Sequence, residues 1–161
     1  MTSRYSAWAL GLFVGFGLSL QGPASAQSEI PGVGSWKFNV ARSKLGAEPT
    51  PQSSTSTIKA VGNGAKMTDL VVAANGQRRL SEFTANYDGK DYPITGTAHA
   101  DTVSLKRIDA RTIERTDKKQ GRVVETSTTV YSEDGKTSTT TGTARNMHGQ
   151  QFQFVVVHEK Q

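Results

Sequence analysis

Residues 112–144 read TIERTDKKQGRVVETSTTVYSEDGKTSTTTGTA. Three runs rich in Thr, Val and charged residues are separated by Gln120-Gly121 and Asp134-Gly135. Gly and Asp accept the positive φ that tight hairpin turns require, so each dipeptide reads as a reversal between two strands. Thr137, Thr139, Thr141 and Thr143 recur at every second position, which is the period of a strand. The stretch is two consecutive β-hairpins.

The same punctuation extends outward in both directions. Turn signals fall at Gly62-Asn63-Gly64, Asn75-Gly76, Asp88-Gly89, Ala100-Asp101, Asp109-Ala110 and Asn146 to Gly149. They are spaced by one strand plus one tight loop, the cadence of an all-β chain. Ten strands are expected, over 34–41, 53–61, 65–73, 77–87, 90–98, 102–108, 112–118, 122–132, 136–144 and 150–160. Every connection after the first is short, so sequence neighbours should pair antiparallel. An open meander of this size leaves two unpaired edges, and closure removes them. The expected architecture is all-β, a single up-and-down antiparallel β-barrel of 8–10 strands, closed by its first and last strands. The one long connection, Arg42 to Gln52, contains Gly46, Pro49 and Pro51 and has room for a single helical turn at most.

The first residues follow a different pattern. Arg4 precedes an uncharged apolar run, Ala7 to Leu20, and then Ala24-Ser25-Ala26. That order reads as a secretory signal peptide over 1–26, with the barrel domain over 27–161; the run is short for a membrane span. The chain has no cysteine, which leaves no site for a lipoprotein anchor. Periplasmic or secreted localisation in a bacterium is expected, without stable membrane insertion after cleavage. Loss of Arg4 would lower the formal charge of +5 to +4. The excess concentrates in Lys106, Arg107, Arg111, Arg115, Lys118, Lys119 and Arg122. These residues suit either a face for an acidic partner or the solvated side of two hairpins. The stretch holds no aromatic side chain for base stacking, so no nucleic-acid partner is expected.

Alternation sorts the faces. The aromatic-bearing sets are assigned to the interior: Trp36, Phe38 and Val40; Phe83, Ala85 and Tyr87; Tyr92, Ile94 and Gly96; Val103, Leu105 and Arg107; Phe152, Phe154, Val156 and His158. The strands at 122–132 and 136–144 offer two polar faces. Their wall is either a wet stretch of interior or a solvated sheet in which Thr serves strand propensity.

The two ends of the chain carry a resemblance. Gly34-Ser35-Trp36-Lys37 resembles the G-x-W opening of the calycins, the group of lipocalins and fatty-acid-binding proteins. Val155-Val156-Val157-His158-Glu159-Lys160 is similar to the closing strand of intracellular fatty-acid-binding proteins, and the layout is like that of small exported bacterial lipocalin-like proteins. The resemblance implies that Trp36 plugs the closed end of the barrel with an Arg packed over its indole, for which Arg107 is a candidate by face. It also implies an inward Arg and Tyr in the closing strand to clamp a ligand carboxylate. Those positions hold Val156 and His158 here, and the family's helical lid does not fit into Arg42 to Gln52.

The chemistry expected is binding rather than catalysis. A small, partly apolar or amphipathic ligand would sit in the lumen against Trp36, Phe38, Phe83, Tyr87, Tyr92, Phe152 and Phe154, with His158 or Arg107 as polar anchor. His158 could equally reach the rim and water, and Arg107 could snorkel outward. There is no Cys nucleophile, no G-x-S-x-G and no phosphate-cradling Gly loop, so no enzyme activity and no cofactor are expected. His99, His148 and His158 lack metal-ligand spacing, so no metal is expected either. The alternative is an envelope interaction protein that uses the basic outer face at 106–122.

Overall fold

A computed structural model describes residues 30–46, 49–146 and 148–161. The signal-peptide reading of 1–26 lies outside the described residues. The chain forms ten antiparallel strands: β1 Gly34–Phe38, β2 Ser53–Val61, β3 Gly64–Val72, β4 Arg78–Asn86, β5 Asp88–Thr95, β6 Thr102–Arg107, β7 Thr112–Lys119, β8 Arg122–Tyr131, β9 Thr137–Arg145 and β10 Gln151–Lys160. They close into an up-and-down barrel in which each strand pairs with its sequence neighbours and β1 pairs with β10. The closing register sets Trp36 against Lys160, Lys37 against Glu159 and Phe38 against His158. Every strand thereby has a partner on both sides, which leaves no free sheet edge.

Two expected strands end early. The first stops at Phe38, and Val40–Arg42 forms a 3-10 turn. The Asn39 side chain accepts from Arg42 N–H at 3.0 Å, and the Asn39 carbonyl accepts from Ser43 Oγ–H at 2.7 Å. Local side-chain bonding of this kind competes with strand extension, and it leaves Val40 exposed rather than inside. β5 likewise stops at Thr95. Gly96 turns with φ of 75°, and a Cβ there would meet the Leu80 carbonyl oxygen at 1.8 Å. Gly96 is therefore an exposed turn residue and not part of the interior face.

Two hydrophobic clusters make the core. One contains Phe83, Ala85, Ile94, Ala100, Val103, Leu105 and Ile113; the other contains Trp36, Ile58 and Ala65. Met67, Tyr87 and Tyr131 pack against both and join them. Trp36 is 2% exposed, donates its Nε1–H to the Gly32 carbonyl at 2.6 Å and lies 5.3 Å from the Tyr131 ring. The cation over the indole is Lys160, with Nζ 5.6 Å from the ring, where the resemblance implied an arginine. Lys160 reaches that position because it sits opposite Trp36 in the closing register.

The seam between β4 and β5 is short, with Glu82 against Thr95 and Phe83 against Ile94. The neighbouring β3–β4 ladder runs from Gly64 against Asn86 to Val72 against Arg78. After β1 the chain continues along β10, where Lys44 and Val155 exchange both backbone hydrogen bonds at 2.7 Å.

Candidate lumenal binding site

The barrel encloses a cavity of about 440 Å³. Its wall is built by alternation. β3 contributes Ala65, Met67, Asp69 and Val71; β7 contributes Ile113, Arg115 and Asp117; β8 contributes Glu125, Ser127, Thr129 and Tyr131; β10 contributes Phe152, Phe154, Val156 and His158. Trp36, Ile58, Tyr87 and Tyr131 gather at one end, and Leu45, Ser54, Val71 and Phe152 lie towards the other. The two-faced polar wall of β8 and β9 turns Ser127, Thr129, Ser138 and Thr140 inward, and Thr129 and Thr140 share a hydroxyl hydrogen bond at 2.8 Å. This stretch of interior is polar, as the wet-wall reading expects. Gly142 lies on the same face of β9 as Ser138 and Thr140. A Cβ there would meet the Phe154 ring and the Thr126 carbonyl oxygen, each at 2.6 Å, so the missing side chain makes room for that phenyl ring.

A belt of charged groups crosses the middle of the cavity. Arg115 donates from Nε and Nη2 to the two carboxylate oxygens of Asp117 at 2.7 and 2.8 Å, a bidentate pair. The Asp117 side chain is 3% exposed, and the Arg115 side chain, which lines the cavity, is 22% exposed. The guanidinium also lies over Phe83, with 5.1 Å from Cζ to the ring centroid. Burial opposes its charge, but Asp117, Glu125 and Asp69 more than offset that, and Arg115 is held firmly protonated. The β7–β8 register slips between Asp117 and Lys118. Such a bulge re-aims side chains, and here Asp117 still stands opposite Glu125 with both lining the lumen.

His99, from the β5–β6 connection, places Nε2 at 3.6 Å from Glu125 Oε2, an ion-pair distance beyond hydrogen-bond range. The Glu125 contact raises the His99 pKa, and desolvation opposes it in part. Burial works to raise the Glu125 pKa, but His99 and Arg115 outweigh it, so the carboxyl is held below its ordinary range. On the other side of the lumen Ser56 donates its hydroxyl to Asp69. His158 lies 6.0 Å from the Phe38 ring, and desolvation lowers its pKa despite the opposing charge of Asp69. Burial also raises the pKa of Tyr87 and Tyr131, so both phenols remain neutral donors.

Of the residues expected to meet a ligand, Trp36, Phe83, Tyr87, Phe152, Phe154 and His158 line the cavity. Phe38 is buried against His158 but outside the cavity wall. Tyr92 packs on the larger core cluster and donates its hydroxyl to Asp88 at 3.0 Å. Arg107 ends β6 and donates Nε–H to the Asp109 carbonyl at 3.0 Å, likewise outside the wall. The sequence reading missed Arg115, Asp117, Glu125, His99 and Asp69. It placed Arg115 on a basic outer stretch, whereas Ile113, Arg115 and Asp117 share the inward face of β7. The strict alternation from Ile113 was the available signal. Among the described residues, no group of three or more His, Asp or Glu side chains is arranged to hold a metal ion.

No protein-family model matches the chain, and no curated protein matches it. Among solved structures, the zebrafish ileal bile acid-binding protein complexed with cholic acid aligns with 80% of this chain and 98% of its own, at 13% identity and a TM-score of 0.46.

Proposed function

We propose that the protein binds a small, partly apolar molecule inside the barrel. The observation that carries this reading is the cavity of about 440 Å³, apolar at Trp36, Ile58, Phe83, Phe152 and Phe154 and crossed by convergent polar groups. Ligand sites typically have hundreds of Å³ of concave apolar wall with a few placed polar groups. The outer-face alternative has less support. In the basic stretch Lys118 pairs with Asp91 at 2.8 Å, Lys119 with Asp101 at 2.7 Å and Arg111 with Glu133 at 3.4 Å, while Arg115 is turned inside.

The binding reading is tested by calorimetric titration with 1-hexanol, an uncharged, partly apolar probe. Saturable binding that disappears in Thr140→Trp, which puts an indole into the lumen, supports it. Equal uptake by both forms would contradict it. Export belongs to the same proposal and is supported by the apolar run Ala7 to Leu20 ahead of Ala24-Ser25-Ala26. Expression with its own leader should yield a chain beginning at Gln27; an intact Met1 in the periplasmic fraction would count against cleavage.

A further inference from the structure

We infer that the lumen selects a ligand carrying a cationic nitrogen, held at Asp69, over one carrying a carboxylate. The inference rests on the lumenal binding reading and adds the charge of the ligand to it. Three carboxylates line the cavity, Asp69, Asp117 and Glu125, and Arg115 is the one Arg or Lys among the described lining residues. Arg115 is chelated by Asp117. Glu125 faces His99. Asp69 receives a hydroxyl hydrogen bond from Ser56, but no Lys, Arg or His among the described residues forms an ion pair with it.

The surroundings of Asp69 suit an ammonium group. In the strand register Asp69 lies between Ser56 on β2 and Ser81 on β4, and all three line the cavity. Their oxygens can accept the several N–H bonds that an alkylammonium offers. Val71, Phe152 and Phe154 line the same space for an alkyl or aryl body. His158 on β10 feels the charge of Asp69 but favours its neutral form through desolvation and supplies little competing charge. An anion would meet the reverse situation: one guanidinium, chelated by Asp117 and also facing the charges of Glu125 and Asp69, and a surplus of negative charge in a partly desolvated space, where charge interactions are stronger than in water.

The test is calorimetric titration of the full chain with hexylammonium, hexanoate and 1-hexanol, in the wild type and in Asp69→Asn. Charged hydrogen bonds support a preference of about tenfold for hexylammonium over 1-hexanol, with hexanoate weakest. Asp69→Asn keeps the shape and should bring hexylammonium to the 1-hexanol level while leaving 1-hexanol unchanged. Ser81→Lys, which supplies an internal ammonium beside Asp69, should abolish the preference as well. Hexanoate binding as tightly as hexylammonium, or a preference that survives in either variant, would overturn the inference. Binding of 1-hexanol without an ammonium preference sinks this inference and leaves the lumenal reading standing; no binding of any probe sinks both.

Discussion

The Lys160 ammonium stands 5.6 Å from the centre of the Trp36 ring, and the two residues are direct partners across the β1–β10 seam. One contact thus covers the indole and joins the first strand to the last.

Trp36→Ala should destabilise the barrel by about 3–5 kcal/mol, the usual loss for removing a large buried aromatic. Lys160→Met keeps much of the stem and removes the charge, so it should cost about 1 kcal/mol or less. Urea denaturation of each variant provides the comparison. A loss in Lys160→Met as large as that in Trp36→Ala would mean that the seam depends on the ammonium as much as on burial of the indole.

Breaking the Arg115–Asp117 pair from one side should be worse than replacing both partners. Asp117→Ala strands a guanidinium inside the lumen and should cost about 3–5 kcal/mol. The double change Arg115→Met with Asp117→Leu should recover most of that loss, because both desolvated charges go together. Chemical denaturation of the two forms measures the difference.

The two lumenal histidines should titrate on opposite sides of the ordinary value of 6.5, His99 above it and His158 below it. The sign of each stability term follows. The His99 contribution is fully present below pH 6.5 and is lost as pH rises through its folded pKa. The His158 contribution is present above pH 6.5 and is lost as pH falls towards its lower folded pKa. Proton–carbon NMR of the imidazole Cε1 groups reads both pKa values. The stability gap between wild type and His99→Gln should accordingly shrink from pH 6 to pH 8, and reversed titration midpoints would contradict the charge arrangement.

Gly142→Ala should be poorly tolerated although it adds one methyl group. The new Cβ would fall 2.6 Å from the Thr126 carbonyl oxygen and from the Phe154 ring. Overpacking of this kind costs about 1–3 kcal/mol. Thermal unfolding checks the loss, and Phe154→Ala in the same chain should not fully rescue it, because the backbone carbonyl remains.

The barrel is legible in the sequence because its determinants are local. Turn residues mark each reversal, and period-two patterning fixes which side chains point inward, as for Phe83 and Phe154. Val40 and Gly96 depart from that pattern where a side-chain cap and a close backbone approach interrupt the strands. The charged belt was harder to read. Asp69, Arg115 and His158 come from β3, β7 and β10, and only closure of the sheet brings them around one lumen. Charged side chains on a strand are ordinarily solvated, so Arg115 and Asp117 pass for surface residues until the bidentate pair and the enclosing wall are seen.

The most direct test of the central claim, that the barrel interior is a binding chamber, is a crystal structure of the protein soaked with 1-bromohexane and recorded at the bromine edge. The anomalous peak should lie within the barrel, among Phe83, Arg115, Thr140 and Phe154. A lumen filled by its own side chains, with bromine only on the outer surface, would contradict the account.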